Sequence, residues 1–203
     1  MDHVSFEEKL ERNPLRGVVR EYFEVKPLKD ILDPGKIDLA LHYCSRNGRG
    51  TALLHKYFEP ARIAAVDPDP NLVKLARESL AGFPVTVAQG SLTRLDYDEA
   101  SFDAVFVLGE LHNYPEWRDY LGEIARVTKP GGRFFIEELS AESFEYLLGR
   151  YFKTKADHRY DAMLRLGEFH DAVQSAGFEI ERFEQRKPFG LFTYFIMAAR
   201  KRA

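Results

Sequence analysis

Apolar and polar positions alternate along the chain in the manner of a sheet covered by helices. Five short apolar runs predict strands, and the amphipathic segments between them predict helices. The predicted strands are residues 36–43, 62–66, 85–88, 102–108 and 133–137, and the predicted helices between them are residues 51–58, 71–80 and 117–127. Another amphipathic helix is predicted before the first strand, with Asn13 as its cap and Pro14 at its first position. Regular alternation of strand and helix indicates a doubly wound, mostly parallel α/β sheet.

The last third of the chain departs from this alternation. Helical patterns around residues 141–151 and 166–176 are followed by two strand patterns, residues 178–185 and 191–198. Only the turn Lys187-Pro-Phe-Gly190 joins these two strands. Since so short a connection allows only antiparallel pairing, we expect the sheet to end in a C-terminal antiparallel hairpin.

Composition narrows the class of protein. The chain has 203 residues, which we interpret as a single domain spanning 1–203. Its 29 basic and 32 acidic residues give a net charge of −3, which provides no electrostatic basis for a nucleic-acid partner. No apolar run approaches the ~20 residues that span a bilayer, and the first ten residues lack the apolar core of a secretion signal. We therefore expect a cytoplasmic protein with neither nucleic acid nor membrane as partner.

A single cysteine, Cys44, limits the metal and redox chemistry that is available. One thiol cannot form an intrachain disulfide, and it cannot supply a cysteine-rich metal site. The His, Asp and Glu residues do not show metal-ligand spacing either. The sequence therefore predicts no metal centre.

The loop from Cys44 to Gly50 lies between the first predicted strand and the following helix. A glycine-containing loop in this position lets backbone N–H groups face a ligand. Asp67 ends the second strand, where a carboxylate can accept hydrogen bonds from ribose hydroxyls. Together these features predict a site for an adenosine-containing cofactor.

Several segments resemble the class I S-adenosylmethionine-dependent methyltransferases, and the resemblance covers nearly the whole chain. The stretch from Val66 to Arg77 is similar to the acid and helix that follow the family's second strand. Gln89-Gly-Ser-Leu92 is similar to the segment that borders the adenine, and Lys129-Pro-Gly-Gly132 to the turn before the fifth strand. The terminal hairpin is also typical of this family.

The resemblance implies a Rossmann-like, seven-stranded sheet, S-adenosylmethionine as cofactor and S-adenosylhomocysteine as product. It implies methyl transfer to a small-molecule acceptor by a monomer or homodimer, with residues 1–29 as a helical cap and 140–166 as a lid segment. The residues that it places at the cofactor are His42, Cys44, Arg46, Gly48, Asp67, Pro68, Ser91, Leu92, Leu108 and Gly109.

Four of these positions depart from the family's pattern. His42 and Ser91 stand where the family has acids, and Cys44 and Arg46 stand where it has glycines. The Arg46 guanidinium could compensate by turning toward the methionine carboxylate. In a second register, meaning a second alignment of the family's loop pattern with this sequence, Asp38 is the acid and the loop is four residues longer. This alignment would reduce the first strand to almost nothing.

Candidate catalytic residues follow the fourth and fifth strands: Glu110, His112, Tyr114, Glu137 and Glu138. His112 is the best candidate for proton transfer because an imidazole titrates near neutral pH, although it could equally cap or pack against a loop. Two functions remain open: an active methyltransferase, or a catalytically inactive methyltransferase-like protein that serves as a binding or regulatory subunit. A nicotinamide dehydrogenase has less support, because the chain has a terminal hairpin and lacks a full Gly-x-Gly-x-x-Gly run.

Overall fold

A computed structural model describes residues 17–18, 20–145, 163–187 and 193–203, and these contain a seven-stranded sheet. The strands are β1 (Leu39–Tyr43), β2 (Arg62–Asp67), β3 (Val85–Gln89), β4 (Phe102–Leu108), β5 (Thr128–Leu139), β6 (Phe178–Arg186) and β7 (Tyr194–Lys201). Their order across the sheet is β3-β2-β1-β4-β5-β7-β6. The pairs among β1 to β5 are parallel, whereas β7 is antiparallel to both β5 and β6. The predicted mostly parallel sheet with a C-terminal antiparallel hairpin is thus confirmed.

Helices cover both faces of this sheet. They are α1 (Lys26–Ile31), α2 (Arg49–Phe58), α3 (Pro70–Ser79), α4 (Trp117–Val127) and α5 (Leu166–Ser175). A π-helical segment, Arg20–Val25, precedes α1, and 3₁₀ turns form at Leu111–Asn113 and Ala141–Phe144. The start of the helix predicted from Asn13, and the part of the predicted lid at residues 146–162, lie outside the described residues.

Burial on both faces explains the continuous apolar character of β4. Val105 and Val107 belong to a core cluster that includes residues of α4 and α5. Ala104 and Phe106 point to the other face and belong to a cluster with residues of α1 and α2. Since successive side chains of a strand point to opposite faces, a strand covered twice needs apolar residues at every position.

The strand β5 corrects one prediction. We expected Lys129-Pro-Gly-Gly132 to form a turn before a strand at residues 133–137, but the strand already begins at Thr128. Its pairing with β4 jumps from Phe102 opposite Thr128 to Ala104 opposite Arg133, so residues 129–132 form a bulge inside the strand. Gly131 has a φ of 76°, a conformation that glycine adopts without steric cost.

Other element ends shift by a few residues. The strand β1 begins at Leu39 rather than residue 36, and β7 begins at Tyr194 rather than residue 191. Of the helical pattern expected at residues 141–151, the described part contains the 3₁₀ turn Ala141–Phe144, and residues 146–151 lie outside the described residues. None of these changes moves the carboxyl ends of the parallel strands, where ligands bind in this type of sheet.

The strand order changes direction between β1 and β4. From β1 the chain continues to β2 on one side, while β4 lies on the other side of β1. In open α/β sheets a crevice forms at such a point, outside the carboxyl ends of the strands. The loops that follow β1 and β4 border this crevice.

Candidate functional site

The loop after β1 has the backbone of a glycine-rich loop although two of its positions carry side chains. Cys44, Arg46 and Gly48 have φ values of 59°, 50° and 83°. Residues with a Cβ adopt this left-handed conformation at a cost of roughly 1–2 kcal/mol. Non-glycine residues therefore rarely occupy it at two alternate positions of one loop. The strained positions are those where we placed the family's glycines. Asp38, the acid of the second register, precedes β1 at the opposite end of that strand and pairs with Lys36.

Gly48 and Gly50 bring the loop into close contact with its surroundings. A Cβ on Gly48 would lie 2.7 Å from Ser79 Oγ and 2.9 Å from Leu80 Cδ1. A Cβ on Gly50 would lie 3.0 Å from His42 Cε1. The helix α2 begins at Arg49, so the loop runs directly into a helix N-terminus, where backbone N–H groups point outward.

Asp67 is buried at the carboxyl end of β2, beside this loop. Its Oδ2 accepts the Arg46 backbone N–H at 2.7 Å, and its Oδ1 accepts the Asp69 backbone N–H at 3.0 Å. Burial raises the pKa of Asp67 above its ordinary value, while these two hydrogen bonds oppose the rise. Each oxygen of an ionised carboxylate has a second lone pair, so Asp67 can also accept hydroxyl hydrogen bonds.

The Arg46 side chain pairs with an acid that follows β4. Its Nη1 lies 3.1 Å from Oε2 of Glu110, and Arg20 Nη2 lies 4.0 Å from Oε1 of the same carboxylate. Burial raises the pKa of Glu110 to about 7, and the two arginines act against this rise. Arg20 in turn pairs with Glu24 at 3.0 Å, and both are buried. A buried network of two cations and two anions therefore lies between β4, the loop and the π-helical segment.

His42 lies beneath the loop at the position where the family has an acid. Its Nδ1 is 2.7 Å from Thr51 Oγ1 in the first turn of α2, while Nε2 is buried without a hydrogen-bond partner. Burial, assisted by the charge of Arg20, lowers the pKa of His42 to about 3. The imidazole is therefore neutral at physiological pH, and the position supplies no negative charge.

Cys44 and Tyr114 pack together on the other side of the loop. Cys44 Sγ is 3.5 Å from the Tyr114 hydroxyl, and the thiol is buried. Burial raises the pKa of the Cys44 thiol well above its usual range and also raises the pKa of the Tyr114 phenol. Both groups therefore keep their protons near neutral pH, and Cys44 serves as a small apolar filler rather than a reactive thiolate.

His112 and Glu138 are brought together from the ends of two adjacent strands. His112 Nδ1 lies 2.5 Å from Glu138 Oε1, and Glu138 is completely buried. Glu138 Oε2 also accepts the backbone N–H of Leu111 at 2.6 Å, and Oε1 accepts that of Leu139 at 2.8 Å. These bonds fix the imidazole orientation through one nitrogen. Spacing along the chain identified both residues as candidates, but it could not show that they contact each other.

The remaining predicted cofactor residues lie around the same edge of the sheet. Pro68 follows β2, Ser91 and Leu92 follow β3, Leu108 ends β4, and Gly109 follows it. Ser91 is exposed and its Oγ lies 3.0 Å from Thr93 Oγ1, whereas Leu92 is buried and its carbonyl accepts the Tyr43 hydroxyl. These five residues thus lie at the carboxyl ends of β2, β3 and β4.

Sequence reasoning missed Arg20 and Glu24. Opposite charges four residues apart usually indicate an exposed pair on a helix surface, so nothing in their spacing suggests burial. In the structure the π-helical segment places this pair beside Glu110. The only available signal was their position in an amphipathic segment next to apolar residues.

A cavity of about 660 Å³ lies elsewhere in the molecule. Its lining residues are Arg94, Leu95, Asp96, Tyr97, Asp98, Ser101 and Arg126. Ser101 directly precedes β4, so the cavity is at the amino end of that strand, far from the loop. Arg126 donates hydrogen bonds to the carbonyls of Tyr97 and Leu95 and thereby anchors the preceding segment. We assign this cavity no part in the candidate site.

Two negative findings concern only the described part of the chain. Within it, no group of three or more His, Cys, Asp or Glu residues is arranged to hold a metal ion. Within the same residues, no helix is both long and apolar enough to cross a membrane.

Comparison with known proteins identifies the central segment. Residues 41–136, which run from β1 into β5, match the family described as methyltransferase domain. The segment is therefore similar to methyltransferase domains. It includes the loop after β1, Asp67, Glu110 and His112, but ends before Glu138.

The curated relatives that match this part of the chain are methyltransferases. The demethylmenaquinone methyltransferase of Shouchella clausii is 31% identical over 121 residues, which cover 56% of this chain and 52% of that protein. The phthiotriol/phenolphthiotriol dimycocerosates methyltransferase of Mycobacterium tuberculosis is 31% identical over 93 residues, which cover 46% of this chain and 34% of that protein. The aligned segments thus span between a third and about half of these relatives.

A solved structure agrees with the fold over almost the full chain. It belongs to the complex between the Haloferax volcanii Trm112 methyltransferase activator and a methyltransferase, and it superposes with a TM-score of 0.78 at 16% identity. The match covers 98% of this chain and 96% of that one. At this identity the likeness establishes the shared class I fold.

Proposed function

We propose that this protein transfers a methyl group from S-adenosylmethionine to a small-molecule acceptor and releases S-adenosylhomocysteine. One observation supports the proposal above all. Three alternate residues of the loop after β1 have a left-handed backbone conformation, and the loop lies against the buried Asp67. A loop that retains this costly backbone at Cys44 and Arg46 keeps the shape that exposes its N–H groups to a ligand.

The residues present fit the adenosine half of this cofactor. Asp67 has lone pairs available for ribose hydroxyls, and Ser91 and Leu92 follow β3 on the side expected for the adenine. When bound, the cofactor supplies a methyl group activated by its positive sulfur. The protein's own contribution is to hold the acceptor in line with that methyl group.

The acceptor class is proposed from the relatives. Those described above are named for demethylmenaquinone and for dimycocerosates, and neither name refers to a protein or nucleic acid. We propose that residues 1–29 and 140–166 cap the acceptor side of the domain, and much of both segments lies outside the described residues. The chain is expected to act as a monomer or homodimer in the cytoplasm.

Among the candidate catalytic residues, His112 is best placed for proton transfer. Glu110 is engaged by Arg46 and Arg20, and burial keeps the Tyr114 phenol protonated. If His112 Nδ1 donates to Glu138, then Nε2 carries the lone pair that can accept a proton. This role applies only where the acceptor loses a proton as it is methylated.

A catalytically inactive binding or regulatory subunit is the second candidate. It is favoured by the ion pair of Arg46 with Glu110, which lies beside the loop where a cofactor's amino-acid end is expected, and by the neutral His42. One measurement separates the two candidates.

Isothermal titration with S-adenosylhomocysteine tests the proposal. The wild type is expected to bind, and Asp67→Asn is expected to weaken binding by about 10-fold or more, because charge-assisted hydrogen bonds contribute ~1.5–3 kcal/mol. Asp38→Asn is the matched control, since Asp38 precedes β1 at the other end of the strand, and it should leave binding unchanged. If the wild type binds neither this ligand nor S-adenosylmethionine at millimolar concentration, the methyltransferase proposal is wrong and the regulatory role is favoured.

A further inference from the structure

We propose that Arg46 and Glu110 form a clamp for the amino-acid end of the cofactor, with Arg46 binding its carboxylate and Glu110 its ammonium group. This inference rests on the proposed function and assigns the charges that the site needs. Because the neutral His42 supplies no negative charge, Glu110, which follows β4, supplies that charge instead.

Arg46 connects the two halves of the site. Its backbone N–H is bound to Asp67 at the end of β2, and its guanidinium is bound to Glu110 after β4. A ligand with its ribose at Asp67 therefore has the Arg46 side chain and Glu110 on the β4 side of the crevice. Among the described hydrogen bonds, those of Arg46 are the ones that join Asp67 to the acid after β4.

The charges of the clamp match those of an α-amino acid. Without ligand, the buried Glu110 and the mostly buried Arg46 neutralise each other at 3.1 Å. An amino-acid group brings one anion and one cation, so it can replace one internal ion pair with two new pairs. The exchange leaves no buried charge unpaired, which would otherwise be strongly unfavourable.

A second arginine keeps Glu110 in place during such an exchange. Arg20 lies 4.0 Å from the other carboxylate oxygen, and Arg20 is itself held by Glu24 at 3.0 Å. Glu110 therefore retains a cationic neighbour if Arg46 turns toward a ligand. A buried ion-pair network is a weak source of stability compared with apolar packing, which favours a binding role for these charges.

The ionisation of Glu110 agrees with this role. Because its pKa is about 7, the carboxylate is partly protonated at neutral pH, and a cationic ligand group nearby would favour the ionised form. Binding of the amino-acid end should therefore strengthen as the pH rises from 6 to 8.

Two ligands that differ only in the amino-acid end provide the test. S-adenosylhomocysteine carries this end, whereas 5′-methylthioadenosine keeps the nucleoside and the thioether without it. In isothermal titration of the full chain, we expect the wild type to bind S-adenosylhomocysteine at least about 30-fold more tightly, since one internal ion pair is exchanged for two charge-assisted pairs with the ligand.

Variants then assign this preference to the clamp. Glu110→Gln and Arg46→Met should each weaken S-adenosylhomocysteine binding by about 10-fold or more while changing 5′-methylthioadenosine binding less than about 3-fold. Binding of 5′-methylthioadenosine also reports that each variant is folded. Glu116→Gln and Arg62→Gln, at exposed positions outside the candidate site, are the matched controls and should change neither affinity.

The outcomes separate the clamp from the proposed function. If the wild type binds both ligands equally well, or if the variants weaken both equally, the clamp is wrong while the adenosine site stands. If the wild type binds neither ligand, the proposed function is wrong and the clamp with it.

Discussion

His112 and Glu138 contact each other across the ends of β4 and β5, with Nδ1 and Oε1 separated by 2.5 Å. Glu138 is the penultimate residue of β5, whereas His112 belongs to the 3₁₀ turn after β4. The completely buried carboxylate also receives backbone N–H groups from Leu111 and Leu139. One side chain thus fixes both the imidazole and the backbone that presents it.

Replacing Glu138 should destabilise the fold more than its side-chain size alone would suggest. Glu138→Ala leaves buried N–H groups without an acceptor, so we expect the free energy of unfolding to fall by ~2–4 kcal/mol. Glu138→Gln keeps one acceptor oxygen and should lose less. Urea denaturation measures both, with exposed Glu179→Ala as the control. Equal losses for Glu138→Ala and the control would show that these hydrogen bonds contribute little.

Glu110 should make the fold more stable at mildly acidic pH. Its folded pKa of about 7 lies above the ordinary 4.5, so between these values the folded chain binds more protons than the unfolded chain. This contribution is present at low pH and is lost as the pH rises through 7, which amounts to ~2 kcal/mol between pH 5.5 and 8. Glu110→Gln removes the titration. The difference in unfolding free energy between wild type and variant should therefore change by that amount, and a constant difference would contradict the assigned pKa.

His42 should have the opposite effect. Its pKa of about 3 lies below the ordinary 6.5, so on acidification the unfolded chain takes up a proton that the folded chain excludes. Titration of this group should therefore lower the free energy of unfolding by ~2 kcal/mol between pH 8 and pH 5. His42→Asn should lack this loss. Urea denaturation of wild type and variant at both pH values checks the prediction, and equal acid sensitivity of the two proteins would argue against a buried neutral imidazole.

Gly48 should tolerate no side chain. Gly48→Ala places a Cβ 2.7 Å from Ser79 Oγ in a left-handed residue, so we expect a loss of ~2–4 kcal/mol in unfolding free energy. Gly122→Ala is a useful control because Gly122 lies within α4 with open space around it. Alanine there should stabilise the protein by up to ~1 kcal/mol. Thermal unfolding of the two variants should shift in opposite directions.

Parts of the fold were predictable because local pattern and tertiary environment agree. The ends of β4 and α4 match the predicted residues 102–108 and 117–127, since an uninterrupted apolar run and a regular helical period leave little choice. The bulge at residues 129–132 was mistaken for a free turn. Proline and two glycines indicate a break locally, but pairing with β4 on both sides keeps the segment within the strand.

The candidate site was predictable as a set of positions but not as a set of contacts. The left-handed residues Cys44 and Arg46 lie where the family's glycines were placed, because backbone shape follows the strand, loop and helix order. The partner of the Arg46 guanidinium was not predictable. Glu110 lies 64 residues away along the chain, and only the meeting of β1 with β4 brings the two charges together.

The position of β7 has a consequence for how the chain folds. Among the described strands, the last one in sequence lies between β5 and β6, and β6 meets the other strands only through β7. When β6 has been synthesised, it therefore still has no strand to join, and the edge of β5 stays exposed until residues 194–201 insert beside it. Such distant pairings form slowly, so completion of the sheet should be a late step in folding. Until then, the unpaired edge of β5 is the surface on which premature association between chains would begin.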